Sequence, residues 1–411
     1  MNIFASSIFY RDNGSCMKQK KILCLDIEGG YGGSSRSLFQ SLSNLPQGLV
    51  EPEVWCRRDG PVQALYAEAG IPCAVAPTIP HVSALPRLSR NLYVFSRARL
   101  RFPASRAFRN ALCSAVNTRF DIVHFNHEAL FHLARWLRRH TQVPFTMHFR
   151  TNLVPSITAR WQARVASNAI DHAIFISENE QRSWQALGLK AAHSSVIYNI
   201  AGTANSAAAP HLDIPDDGRL KIASLSNYAW IRGVDRLVEV AAALAARGRR
   251  DILFVVAGNM RLGGSLPGKL GAISRQGGSL ADYATSKGVA DMFIFLGHVS
   301  APERVLAGCH ALARLSREDN PWGRDVIEAL GAGRPVIATG VYDRFVESGV
   351  TGMLAPSYSA DDMAAKIIEL ADDRALTRRL GAVGKQRIET LCNGASRAAD
   401  LAAVWQRVAR Q

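Results

Sequence analysis

The chain has 411 residues, too many for one ordinary hydrophobic core, so two domains are expected. With 48% hydrophobic and 20% charged residues, the composition excludes a disordered chain, and no run approaches the roughly 20 unbroken apolar residues of a membrane span. The formal charge is +15, and the seven cysteines form no C-x-x-C pair, which reads as free thiols in a reducing, cytoplasmic compartment and not as a disulfide frame or zinc site.

Residues 1–16 lack a basic n-region and make a poor signal peptide, so 1–17 reads as a disordered leader or as an upstream start ahead of Met17. From there short apolar runs alternate with helical stretches. KILCLDI at 21–27 is a strand, GGYGGSSRSLFQSL a glycine loop entering a helix, and PEVWCR a second strand; IPCAVAP, DIVHFNH, VPFTMHF and HAIFISE continue the series. Near-continuous apolar runs suit strands buried on both faces of a parallel sheet, and helical crossovers then give a doubly wound α/β domain. Between 70 and 120 there is no acidic residue, while seven arginines crowd the stretch from Arg87 to Arg109. A helix starting near Leu88 would put Leu88, Leu92 and Phe95 on one face and Arg90, Arg97 and Arg101 on the other. That is either a solvated basic face or one drawn to an anionic membrane or a phosphate-bearing partner.

The alternation lapses at 201–218, AGTANSAAAPHLDIPDDG, a linker between domains at 18–200 and 219–411. It restarts with LKIASLS, the helix VDRLVEVAAALAAR, the strand DILFVVAG, the helix LADYATSKG, and the strands DMFIFLG, HALARLS and RPVIAT; helices fill 361–410. Two such domains would set the carboxyl ends of two parallel sheets across a cleft, where open α/β sheets bind ligands.

Several stretches could carry chemistry. Gly32 and Gly33, in the loop opening the first helix, would let a ligand approach the backbone at a helix N-terminus, although the loop is no dinucleotide fingerprint. His148 ends the FTMHF strand, with Arg150 just beyond. Asn227 lies in the loop after LKIASLS, and Arg232 with Gly233 marks a helix entrance, a sound device for a diphosphate. In REDNPWGRDVIEALGAGRPVIATG, Asn320 and Pro321 read as an N-cap with proline at N1, accounting for both without a ligand. Trp322, Gly323 and Arg324 would offer backbone N–H groups, and the Glu328 carboxylate suits the two vicinal hydroxyls of a ribose.

These segments, together with FIS at 175–177, VIYNI at 196–200, FLGHV at 295–299 and FVESGVTGML at 345–354, make most of the chain resemble the retaining glycosyltransferases of the GT-B fold, family 4. The resemblance implies two Rossmann-like doubly wound domains, the first for the acceptor and the second for a nucleotide sugar. It places the second glutamate of a glutamate-x7-glutamate motif on Glu328, for the ribose, and the first, which contacts the transferred sugar, on Asn320. That is a departure, since an amide carries no charge. The family's Arg and Lys pair for the donor diphosphate falls on Asn227 and Arg232, so one cation is missing, and Arg324 or Arg150 could supply it. It also implies that Gly32 and Gly33 line the donor and that His148 lies near its sugar. No protein nucleophile is then obligatory, because the departing diphosphate itself takes the acceptor's proton.

The expected function is therefore retaining transfer of a sugar from a nucleoside-diphosphate sugar to a glycan or lipid-linked acceptor hydroxyl. The setting would be bacterial surface polysaccharide or glycolipid assembly, at the inner face of the plasma membrane. No cofactor is expected, and the absence of Asp-x-Asp points to metal independence. Two alternatives stay open: a non-catalytic nucleotide-sugar binding protein, favoured by the missing acid and cation, and a sugar-nucleotide epimerase on the same fold. Nucleic acid is not an expected partner, because the basic residues lack an interleaved stacking platform.

Overall fold

The computed structural model describes residues 19–30, 32–82, 102–202, 212–318 and 320–410. The helix expected from Leu88 lies outside them, as does 203–211 of the linker. Two open parallel sheets organise the chain. In the first, β1 (Lys20–Asp26), β2 (Val50–Cys56), β3 (Cys73–Val75), β4 (Ile122–Phe125), β5 (Phe145–Phe149), β6 (His172–Phe175) and β7 (His193–Val196) lie in the order β3-β2-β1-β4-β5-β6-β7. In the second, β8 (Leu220–Leu225), β9 (Ile252–Ala257), β10 (Phe293–Gly297), β11 (Ala311–Arg314), β12 (Val336–Thr339) and β13 (Gly352–Ala355) run β10-β9-β8-β11-β12-β13. The last five residues of β1 and all of β9 are buried, as helices on both faces of a parallel sheet require.

The first sheet is flanked by α1 (Gly33–Ser43), α2 (Val62–Glu68), α3 (Arg106–Arg119), α4 (Phe131–Leu137), α5 (Ile157–Ser167) and α6 (Glu178–Ala186). Past β7 come α7 (Arg236–Ala246), α8 (Gly268–Arg275), α9 (Leu280–Ser286), α10 (Pro302–Ala307), α11 (Arg324–Gly331), α12 (Ala360–Asp372), α13 (Arg374–Leu391) and α14 (Gly394–Val408). Each sheet has its own core. One gathers Leu23, Phe125, Phe145, Phe149 and Trp184; the other gathers Ile222, Val238, Phe254, Val256 and Met363. Strand order reverses between β1 and β4 in one sheet and between β8 and β11 in the other, and at such switch points the loops diverge to open a crevice.

The described residues fall into two compact units. The first holds those up to Phe175, Glu180–Val196 and those from Ala398; the second holds Ile176–Asn179 and Ile197–Arg397. The expectation of a single C-terminal domain over 219–411 is thus corrected at its end. Trp405 of α14 is fully buried in the first unit, where its indole N–H donates to Thr146 Oγ1 of β5 at 3.2 Å. The edge strands β7 and β13 escaped the sequence reading: HSSV is polar and half-exposed, and GMLA comes just after the turn at Gly349. The six described cysteines are free thiols, and no described helix is long and apolar enough to cross a membrane.

Candidate functional site

In the first unit, β1 ends on Asp26, a fully buried acid that ties down the glycine loop. It accepts from Ser35 Oγ at 2.5 Å and from Asn126 Nδ2 at 3.1 Å, and Asn126 Nδ2 also reaches Ser34 O at 3.2 Å. The first turn of α1 is thereby anchored to the ends of β1 and β4. Within the loop the glycines differ in purpose. A Cβ on Gly29 would fall 1.7 Å from the carbonyl oxygen of Arg58, so Gly29 is there for backbone packing. A Cβ on Gly32 would meet nothing within 4 Å; this residue caps α1 with open space in front of it. Gly33 is the first residue of α1, so its N–H is among the unpaired donors of the helix start.

His148 is 3% exposed, one residue short of the end of β5. Its Nδ1 lies 2.9 Å from Nε2 of His124 on β4, and His124 Nδ1 lies 2.8 Å from Thr146 Oγ1. Burial, with the Arg150 charge adding to it, pushes His124 down to about 3 and His148 well below the usual histidine value, so both rings are neutral near pH 7. Arg150 is engaged within the protein. Its Nε donates to Asn126 O at 2.7 Å and its Nη2 to Asn126 Oδ1 at 2.5 Å, while its backbone N–H reaches Glu128 Oε2 at 2.9 Å. Of the basic stretch 87–109, Arg106 and Arg109 are described. Arg109 is folded onto the protein, stacked between Phe102 and Trp136, at 4.2 and 4.7 Å from the ring centres.

In the second unit, β8 runs into a loop bridged by Asn227, whose Oδ1 accepts from Asn259 N at 2.8 Å. A single helical turn, Trp230–Arg232, follows and ends on Gly233 at φ +68°, where a Cβ would sit 2.0 Å from Leu315 O. The two arginines beside this turn have opposite fates. Arg317 donates to both oxygens of Asp235 at 2.8 and 2.5 Å and stacks on Trp230 at 3.3 Å. Arg232 is exposed, and its side chain makes no hydrogen bond or ion pair among the described residues.

The loop after β11 is built around Arg314. Its Nη1 donates to both oxygens of Asp325 at 2.8 and 2.7 Å, and its Nε donates to Asn320 O at 3.1 Å. This arrangement corrects the expected N-cap. The helix α11 begins at Arg324 behind Gly323, not at Pro321, because Arg314 draws the Asn320 carbonyl and the Asp325 carboxylate to itself and leaves 320–323 outside the helix. A Cβ on Gly323 would fall 2.7 Å from Asp325 Oδ1 and 3.0 Å from Arg314 Nη1, so glycine there makes room for the ion pair. Trp322 is 2% exposed and stacked on Phe345 at 5.1 Å, which gives its side chain a core role. The Oδ1 of Asn320 accepts from Asn179 Nδ2 at 3.4 Å. One turn inside α11, Glu328 Oε1 accepts from Arg324 Nε and Nη2 at 3.2 and 3.0 Å.

The structure thus sets Asn227 and Arg232 after β8, Asn320 and Gly323 in the loop after β11 with Arg324 and Glu328 on the helix it enters, and in the first unit Gly32 and Gly33 at the start of α1 and His148 near the end of β5. Sequence reasoning missed His124, Asp26, the Arg314–Asp325 pair and Glu178. Glu178 accepts from the hydroxyls of Tyr198 and Tyr342, both at 2.5 Å; burial raises its carboxyl, but the two phenols bring it below the ordinary value. Polar residues inside apolar runs, such as the first histidine of DIVHFNHE, were the available signal.

The family "Glycosyl transferases group 1" matches residues 213–387, and "Glycosyltransferase Family 4" matches 31–203. Alpha-D-kanosaminyltransferase of Streptomyces kanamyceticus is 30% identical over 166 residues, which are 40% of this chain and 39% of that enzyme. The match therefore spans about two fifths of that relative's length. Anabaena HepE in complex with UDP-glucose superposes with a TM-score of 0.72 at 19% identity, covering 95% of this chain and all of that one. Sucrose-phosphate synthase from Thermosynechococcus elongatus does so at 0.66 and 19%, covering 95% and 99%.

Proposed function

Given that the chain belongs to the GT-B glycosyltransferases of family 4, we propose that it moves a sugar from a nucleoside-diphosphate sugar to an acceptor hydroxyl with retention at the transferred carbon. The supporting observation is Arg232, an exposed cation that no described residue neutralises, at the switch point where a diphosphate would lie. In this reading the C1–O bond breaks with its electron pair passing to the diphosphate. Arg232 and the N–H groups opening α11 stabilise that developing charge. The acceptor oxygen adds on the same face and its proton passes to the departing diphosphate, so no protein nucleophile is needed.

Glu328 would clasp the ribose through its carboxylate, Asn227 would keep the β8 loop in register, and the backbone of 322–324 would face the donor. The acceptor would be a glycan or lipid-linked hydroxyl, as in bacterial surface polysaccharide or glycolipid assembly, on the cytoplasmic side and with no metal. HepE has been seen with UDP-glucose, so uridine donors are the first to test. A thermal-shift screen of UDP-, GDP-, dTDP- and ADP-sugars checks the reading, since a bound donor stabilises the fold by mass action. A shift with one of them, followed by acceptor-dependent release of the nucleoside diphosphate, is expected. Binding without release would favour a non-catalytic binding protein, and donor conversion without acceptor an epimerase.

A further inference from the structure

The interior of the first unit carries a hydrogen-bond chain with a readable direction. It starts at the indole of Trp405, which can only donate, and gives its N–H to Thr146 Oγ1 at 3.2 Å. Thr146 is fully buried, and the acceptor within reach of its own hydroxyl proton is Nδ1 of His124 at 2.8 Å. Then comes the 2.9 Å contact between His124 Nε2 and His148 Nδ1. Two neutral imidazoles share one proton in such a contact, and two arrangements are possible. If His124 carried its proton on Nδ1, Thr146 Oγ1 would accept twice and its buried hydroxyl proton would have no partner. If His124 carries it on Nε2, every donor in the chain is matched with an acceptor. An unmatched buried donor is the costlier arrangement.

We propose that Trp405 and Thr146, acting through His124, fix His148 as the tautomer protonated on Nε2, so that His148 meets its ligand as a hydrogen-bond donor and not as a base. Its Nε2 makes no bond among the described residues and is not among their buried unpaired atoms, so this is the edge of the ring open to a ligand. A donor there suits an oxygen of the transferred sugar or of the departing group. His124, Thr146 and Trp405 are positioning residues, and none of them touches substrate. The inference rests on the proposed sugar transfer for the identity of that oxygen, but not for the tautomer itself.

The test uses the full chain labelled with ¹⁵N-histidine, in which the nitrogen shifts of His148 report its tautomer, assigned by comparison with His148→Gln. The wild type should show Nε2 protonated and Nδ1 bare. Thr146→Val removes the hydroxyl without changing shape and frees His124 to reverse, so His148 should become a mixture of tautomers and kcat should fall about tenfold with KM for the donor little changed. Thr146→Ser should restore both, and Trp405→Phe should give an intermediate result. A bare Nε2 in the wild type, or an unaltered tautomer in Thr146→Val, overturns the proposal. If the wild type transfers no sugar to any acceptor, the tautomer measurement still decides the proposal and it is the functional reading that fails.

Discussion

Arg232→Ala separates binding from folding. The guanidinium is exposed and has no described partner, so its loss should alter stability by no more than about 0.5 kcal/mol. A hydrogen bond to a charged group is worth about 1.5–3 kcal/mol, and tenfold in affinity corresponds to about 1.4 kcal/mol. One lost contact to a diphosphate therefore weakens UDP binding by about 10- to 150-fold, and Arg232→Lys should recover part of it as a point charge. Arg317→Ala is the internal control, because it strips Asp235, whose side chain is 3% exposed, of its bidentate partner. Breaking such a buried pair costs about 3 kcal/mol or more, a fall of about 6–12 °C in the melting point of a unit of this size. Titration calorimetry with UDP and a melting curve for each variant are sufficient. Unchanged UDP affinity in Arg232→Ala, or a melting point lowered by several degrees, would refute the assignment.

Glu328→Gln should weaken UDP at least tenfold while costing about 1 kcal/mol of stability from the part-buried pair with Arg324, read by the same two measurements. If the transfer uses no metal, millimolar EDTA should leave the initial rate of UDP release unchanged, and a loss restored by manganese would count against that part of the reading. Acid should destabilise the first unit through its neutral histidines. Unfolded His124 takes a proton near 6.5 and folded His124 only near 3, so its contribution is complete above pH 6.5 and declines as pH falls through that window. At pH 5 the loss is about 2 kcal/mol, and His124→Gln should show a correspondingly smaller drop between pH 7 and 5 in chemical denaturation. An equal drop in both proteins would show that His124 does not titrate this way.

Much of this architecture was visible in the sequence because parallel strands buried on both faces leave unbroken apolar runs. ILFVVA in β9 and VIAT in β12 could hardly be anything else. The edge strand β7 was not, since HSSV is polar and an edge needs no apolar run. Local placement was legible where the chain's own pattern dictates it, as with Glu328 on its helix. What could not be read was pairing at a distance. Asn320-Pro321 has the local form of a helix start, yet Arg314, six residues earlier, takes the Asn320 carbonyl and the helix begins later. The same holds for Arg150 and Arg324. Both are arginines of the right region, and each is already engaged by a neighbour that lies 24 residues away for the first and one helical turn away for the second.

The family resemblance sets Asn320 at a position where a carboxylate is expected, and its surroundings give that difference a chemical meaning. Its carbonyl oxygen already accepts from Asn179, so the group left for a ligand is the amide nitrogen, a donor, where a carboxylate could only accept. A sugar hydroxyl serves either kind of neighbour, because it rotates to accept or to donate. An acetamido carbonyl or a sugar carboxylate accepts only, and would be repelled by an acid at this position. Asn320→Asp tells these apart, since the carboxylate keeps the Asn179 hydrogen bond while exchanging the ligand-facing donor for an acceptor. If the transferred sugar presents a hydroxyl here, kcat/KM should stay within about threefold, because the same bond re-forms with its direction reversed and only its strength changes. A loss of about a hundredfold with the melting point unchanged, the size expected when a buried polar contact is left unmatched, would show that the natural donor meets Asn320 through an acceptor-only group.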